Sequence, residues 1–209
     1  MNTQETLQQG LKELNLVATD EQQDRLLGYL ALLLKWNSTY NLTALRTEEK
    51  MLSHHIIDSL SLVPFLPASG SMIDVGSGGG MPGIPCAIMY PDLKVTLLDS
   101  NHKKTTFLRQ VVIELGLNNV QVENCRVESL ENTQFDIVTS RAFAEIKDFV
   151  SLTRQLLAKE GEWLAMKGVY PFEEIESLPE DIQVGEVISL NVPFVDGERH
   201  LVRLHKKEL

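Results

Sequence analysis

The sequence predicts an α/β fold: a mostly parallel seven-stranded sheet that follows a set of N-terminal helices and ends in an antiparallel hairpin at its C-terminal edge. Three observations carry this. After Gly70, short β-branched runs alternate with helical stretches, as βαβ units on a parallel sheet require. At the head of that alternation stands MIDVGSGGGMPG, Met72 to Gly83, where an apolar run breaks into four glycines within five positions and then meets Pro82. Strand, tight turn and helix follow from that order, because proline suits the first turn of a helix. Ahead of Gly70 the apolar spacing is helical.

Leu7, Leu11 and Leu14 mark a first helix, and Thr19 with Gln22 forms a capping box before Leu26, Leu30, Leu33 and Leu34 of a second. Lys35 to Arg46, KWNSTYNLTALR, is rich in Asn and Thr and aperiodic, which predicts a structured loop. A third helix is expected from Glu48 to about Val63, with Leu52, Ile56, Leu60 and Val63 on one face and Pro64 as its stop. The first 66 residues thus form a helical appendage. Beyond it, Val95–Leu98 is the second strand, and Ser100 and Asn101 cap a helix carrying Phe107, Leu108, Val111, Val112 and Leu115 up to Gly116. Val120–Val122, Phe135–Val138 and Trp163–Met166 are the next strands, with a helix from about Glu145 to Ala158 before the last of them. Val184–Leu190 and Leu201–Leu204 follow without a helix between them and should pair antiparallel.

A chain of 209 residues fits one domain with a small appendage and can build a core without staples. With 43% hydrophobic and 23% charged residues it has an ordinary globular composition. No apolar run approaches the roughly 20 residues of a membrane span, and no secretory signal is visible, so a cytoplasmic protein away from membranes is expected. A monomer is the expected state. Cys86 and Cys125 are too few for a disulfide scaffold and lack zinc spacing, which leaves two buried thiols. The formal net charge of −10 is a poor start for binding nucleic acid. Tyr170 to Glu198 holds eight acids and no Lys or Arg, whereas the last eleven residues carry Arg199, Arg203, Lys206 and Lys207 against Glu208, so a locally basic face stays open.

Chemistry gathers where the predicted strands end. Gly78, Gly80 and Gly83 satisfy GxGxxG, while Asp74, Gly76, Gly78 and Gly80 satisfy the acidic-x-G-x-G-x-G pattern of S-adenosylmethionine (SAM) sites; the loop alone does not choose between a dinucleotide and SAM. Asp99 ends the second strand 23 positions after Gly76, where an acid accepts hydrogen bonds from both ribose hydroxyls, or else merely caps the next helix. Arg126, Val127 and Glu128 follow the third strand at the ligand edge, where an apolar residue, a backbone amide and an acid suit adenine. Thr139 to Phe143 follow the fourth, and Arg141 there suits a carboxylate, a phosphate or an internal ion pair. Neither the Asn/Asp, two-proline and aromatic arrangement of amine methylation nor a nucleophilic Cys for pyrimidine carbon is found there, and no GxSxG elbow supports hydrolysis. His54, His55 and Asp58 share the third helix and read as packing or surface groups before a metal site. Lys103, Lys104 and Arg109 read as a solvated face, some of which could hold RNA backbone.

Taken together, WNxxxNLT at Trp36–Thr43, HxxDS at His55–Ser59, DVGSGxGxPG at Asp74–Gly83 and LLDS at Leu97–Ser100 carry a resemblance, with RVE at Arg126–Glu128, SRAF at Ser140–Phe143, MKG at Met166–Gly168 and DGERH at Asp196–His200. On these motifs, which span nearly the whole chain, the sequence resembles the bacterial ribosomal RNA small-subunit methyltransferase G family, also called glucose-inhibited division protein B. The resemblance implies a Rossmann-like class I SAM-dependent methyltransferase, with residues 1–66 as helical appendage and 67–209 as the SAM-binding domain. It implies methylation of N7 of a guanine, nucleotide 527 in the 530 loop of 16S rRNA, with the rRNA or the small ribosomal subunit as partner. Gly76, Met81, Val127, Glu128 and Arg141 would contact SAM, beside Asp74 and Gly78, with Asp99 in the ribose role. Met81 stands where Phe or Leu is expected and Gly79 where Ala or Pro is common; the softer Met would loosen the pocket. No catalytic acid/base residue is expected, because guanine N7 is unprotonated in its neutral form, and no metal is expected. The rival readings are an NAD(P)-linked oxidoreductase, a nucleotide-sensing module without turnover, and a methyltransferase of another RNA or of a small molecule.

Overall fold

The computed structural model describes residues 1–207. Of the basic C-terminal stretch, Glu208 alone among the residues counted lies outside it. Helices α1 (Thr3–Glu13) and α2 (Asp20–Tyr40) open the chain, each with a complete capping box, at Asn2/Glu5 and at Thr19/Gln22. α2 runs six residues into the stretch expected to be loop, and Asn41 ends it in the left-handed conformation at φ 51°. Trp36, in that added length, packs on Phe107 at 5.6 Å between ring centroids, so tertiary contact overrides weak local propensity.

The third helix differs from the regular one expected. α3 (Glu48–Met51) passes into a π-helical stretch, Leu52–Ile57, and a last α-turn, α4 (Asp58–Leu60), before a 3₁₀ turn at Val63–Phe65. A π-bulge of this kind often marks a functional position. Here it carries His54 and His55 and precedes Asp58.

β1 (Ser69–Val75), β2 (Asp92–Leu98), β3 (Val120–Glu123), β4 (Phe135–Arg141), β5 (Leu157–Lys167), β6 (Ile182–Ser189) and β7 (His200–Lys206) form one sheet in the order β3-β2-β1-β4-β5-β7-β6. The first five pair in parallel, and β7 lies antiparallel to both β5 and β6, so the expected hairpin is present. α5 (Gly83–Met89), α6 (His102–Glu114), α7 (Ile146–Thr153) and the short α8 (Phe172–Glu176) complete the helices. α7 stops earlier than its sequence pattern suggested, and β5 begins at Leu157 instead of Trp163, because Leu157 pairs with Phe135 across a bulge.

Successive strand residues feed two cores. Met72, Val95, Leu164 and Leu201 join a cluster with α1, α2, α5 and α6, while Ile73, Val138, Trp163 and Val202 join a second with α7. The N-terminal helices therefore share one core with a face of the sheet, and the carboxyl ends of β1, β2 and β4 open between the two layers.

Candidate functional site

β1 delivers Asp74 fully buried, on the face shared with α2 and α5. The turn that follows is pinned from below: the amides of Gly76 and Ser77 both donate to the carbonyl of Leu98, at 2.8 and 3.0 Å. Gly76, Gly78 and Gly80 all have positive φ, at 71°, 61° and 100°, which glycine reaches without the steric penalty of a Cβ. At Gly76 the missing Cβ matters twice, since one there would stand 2.5 Å from the Phe143 ring. Pro82 lies immediately ahead of α5, which starts at Gly83.

Two acids hold this turn. Asp74 Oδ2 accepts from the Ser77 hydroxyl at 2.7 Å and from the Gly83 amide at 2.9 Å, while Oδ1 is buried without a hydrogen-bond partner. Burial pushes the Asp74 carboxyl up to about 6, against the pull of those two hydrogen bonds and of Arg141. Asp99 Oδ2 accepts from the Gly78 amide at 2.9 Å and Oδ1 from the Asn101 amide at 2.8 Å, with Lys104 Nζ 4.0 Å away. The cap of α6 is Asn101, whose side chain accepts from the amides of Lys103 and Lys104. Asp99 is thus fixed against the glycine turn, with lone pairs left on both oxygens.

A cavity of about 380 Å³ opens at this edge, lined by Gly76, Asp99, Val127, Glu128, Phe143 and the half-buried Cys125, among others. Its volume falls within the range of small-ligand sites. Four of the eight residues singled out from sequence, Gly76, Asp99, Val127 and Glu128, line it together. Asp74 and Gly78 lie behind it in the turn, where they set the turn's shape.

Met81 and Arg141 stand elsewhere, beside each other. Arg141 Nη2 is 3.3 Å from Met81 Sδ and 3.1 Å from His55 Nδ1; Nη1 donates to the carbonyl of His54 and to Asp58 Oδ2, both at 2.8 Å. Arg199 Nε takes Asp58 Oδ1 at 2.8 Å. Of the partners sequence left open for Arg141, an internal carboxylate is the one observed. His55 bonds Thr43 Oγ1 at 2.6 Å through its other nitrogen, and burial, then Arg141, pull its pKa down to about 4. His55 and Asp58 are committed to this network, and no group of three metal-capable side chains occurs among the described residues.

The turn to the cavity is made at Ala142, held at φ 55°, so that Arg141 faces the Asp58 network while Phe143 covers Gly76. Lys167 Nζ reaches Glu174 at 2.7 Å, Glu174 caps the Ile146 amide at 2.7 Å, and His200 Nδ1 bonds the Gly168 carbonyl at 2.8 Å. The basic C-terminus is largely spoken for: Arg203 clasps Glu162 at 2.9 and 3.0 Å, and Lys206 reaches the Leu157 carbonyl at 3.3 Å. None of these pairings has a local sequence signature, since Asp58 and Arg199 lie 141 positions apart.

The residues at this edge suit SAM. The Gly76 backbone lines the cavity, Asp99 has lone pairs to offer ribose hydroxyls, and the buried Asp74 carboxylate, one oxygen of which has no hydrogen-bond partner, sets a negative potential behind the turn that favours a cationic ligand.

Similar folds occur in a ribosomal protein L11 methylase from Lactobacillus delbrueckii subsp. bulgaricus, with TM-score 0.59 and 15% identity over 74% of this chain and 79% of that one. A SAM-dependent methyltransferase from Aquifex aeolicus gives TM-score 0.59 at 18% identity, over 74% of this chain and 92% of that one. Those likenesses establish the class I SAM methyltransferase fold. Sequence reaches further. A relative from Chromobacterium violaceum, named ribosomal RNA small subunit methyltransferase G, is 62% identical over 199 residues, 95% of each chain. Another of the same name from Neisseria meningitidis serogroup C is 55% identical over 99% of this chain and all of that one. With the sequence model of GidB, rRNA small subunit methyltransferase G, matching residues 22–202, this SAM-dependent enzyme belongs to the rRNA small subunit methyltransferase G family.

Proposed function

We propose that the protein methylates N7 of a guanine, nucleotide 527 in the 530 loop of 16S rRNA, using SAM bound at the carboxyl edge of β1, β2 and β3. The observation that carries this reading is the bond from the Gly78 amide to Asp99 Oδ2 at the edge of the 380 Å³ cavity, in a chain of this family. Asp99 accepts from the ribose hydroxyls, Val127 and Glu128 flank the adenine, and Gly76 lets backbone approach the ligand. Asp74 sets a negative potential behind the turn. Met81 and Arg141 border the methionine end, with the Arg141 guanidinium held in place by Asp58.

SAM, when bound, supplies an electrophilic methyl group on a cationic sulfur. The guanine N7 lone pair is free in the neutral base, so no side chain has to remove a proton first, and none is assigned as catalytic acid or base. The protein's task is to hold two reactants in register. Residues 67–209 bind SAM, and residues 1–66 form a helical unit braced against the turn. The enzyme works as a monomer in the cytoplasm on the small ribosomal subunit or its rRNA.

Mapping the modified nucleotide of 16S rRNA from a strain lacking the gene tests this directly. N7 methylation at that guanine should vanish and return when the purified protein and SAM are added to the subunits. Methylation that persists in the deletion strain overturns the proposal.

A further inference from the structure

We infer that Tyr29 is a positioning residue for the SAM-binding turn, its hydroxyl fixing the Gly79 peptide from the N-terminal helices. The inference rests on the SAM reading of the glycine turn. Tyr29 is fully buried in α2, and its hydroxyl donates to the Gly79 carbonyl at 2.6 Å. Burial drives the phenol far above its ordinary pKa, so the proton it donates stays in place. The same oxygen crowds Gly80, where a Cβ would stand 3.2 Å from it.

The turn needs such a hold. Four glycines within residues 76–80 give the free chain far more conformations than the bound turn can use, and ordering them costs entropy. Leu98 and Asp99 tie down the amides of Gly76, Ser77 and Gly78 from the sheet side. Gly79 lies past those ties, and the bond from Tyr29 reaches it from the opposite side. Seven residues earlier on α2, Gln22 Nε2 donates to the carbonyls of Ile88 and Met89, at 3.1 and 2.9 Å, so α2 runs antiparallel along the turn and α5. Gln22 grips the far end of α5 and Tyr29 grips the turn. A ligand that needs Gly78 and Asp99 in register should therefore sense the Tyr29 hydroxyl, although that group lies outside the cavity lining.

Calorimetric titration of SAM into the full chain, Tyr29→Phe and Gln22→Ala tests this, alongside urea melts and KM values for SAM and for the subunit. Failure of the unmodified chain to bind SAM would remove the functional reading itself. With that binding in hand, Tyr29→Phe should raise the SAM Kd and KM about tenfold and leave the subunit KM within twofold. Gln22→Ala should lower stability yet keep the SAM Kd within twofold. A Tyr29→Phe Kd within twofold of the parent, whatever its stability, overturns the inference. So does an equal rise in Gln22→Ala, which would make the effect a general loosening. Should Tyr29→Phe not fold, hydrogen exchange in the unmodified protein decides: added SAM should slow amides of residues 26–33 together with 76–80, and slowing confined to 76–80 refutes the role.

Discussion

Asp58 and Arg141 meet at 2.8 Å across the seam between the N-terminal helices and the end of β4, and Arg199 holds the other oxygen of the same carboxylate at 2.8 Å. One carboxylate, 3% exposed, thus serves two guanidiniums that are 20% and 25% exposed. The three residues come from the HxxDS, SRAF and DGERH motifs, and Met81 of the glycine turn touches the same cluster.

Removing the shared carboxylate should cost more than removing either cation, because it strands two charges at once. Asp58→Ala is expected to lower stability by about 3–5 kcal/mol. Arg199→Met should cost roughly 1–3 kcal/mol, since Arg141 keeps Asp58 company. Urea melts of both variants check this, and equal losses would mean that the two arginines do not depend on one counter-charge.

Two buried groups pull the pH dependence in opposite directions. Asp74 binds its proton more tightly folded than unfolded, with its pKa up from 3.8 to about 6; its contribution is full below 3.8 and lost as pH rises through about 6. His55 is the reverse, down from 6.5 to about 4: its contribution is full above 6.5 and lost as pH falls through about 4. Each is worth roughly 3 kcal/mol over its window, so in the unmodified protein they largely cancel. His55→Gln exposes the Asp74 slope, and its stability relative to the parent should rise as pH falls from 6.5 to 4. Asp74→Asn should do the opposite, losing ground to the parent as pH falls from about 6 to 3.8. Denaturant midpoints across that range read the signs directly, and parallel curves for the two variants would contradict the assignment.

What sequence could and could not show follows from the range of each signal. The seven strands and the glycine turn were legible, because alternation and glycine spacing are local patterns. Sequence leaves two readings of Asp99 open, a ribose acceptor or a solvated helix cap; Asn101 does the capping and Asp99 turns to the Gly78 amide. α2 runs past its expected end because Trp36 on Phe107 is a contact across 71 positions that Asn and Thr propensity does not encode. The Asp58 network and the bond from Tyr29 to Gly79 escaped for the same reason, since each joins residues distant in the chain. The motifs that carry them were visible; their partners were not.

The contact between Gly76 and Phe143 gives a test of the turn. Gly76→Ala brings a Cβ to 2.5 Å from the ring and places alanine at φ 71°. The backbone penalty alone is about 1–2 kcal/mol. Adding Phe143→Ala should relieve the clash and leave that backbone cost. SAM titration and melts of the single and double variants should therefore show partial recovery, and complete recovery would mean that the left-handed backbone carries no cost here.

Salt dependence separates a broad basic face from a narrow one. Arg199 and Arg203 already hold internal carboxylates and Lys206 a backbone carbonyl, so three of the four cations in the basic C-terminal cluster read from sequence are already engaged. Lys103, Lys104 and Arg126, at the start of α6 and the rim of the cavity, are better placed, against a net charge of −10. About three phosphate contacts give a slope of log K against log salt of roughly −2 to −3. Lys103→Ala should flatten it by roughly one unit, since each lost phosphate contact removes about that much. Titration of the protein onto small subunits at several ionic strengths measures both. A slope near zero would exclude direct backbone contact, and a slope as steep as that of a strongly basic protein would require the Arg199 and Arg203 pairs to open on binding.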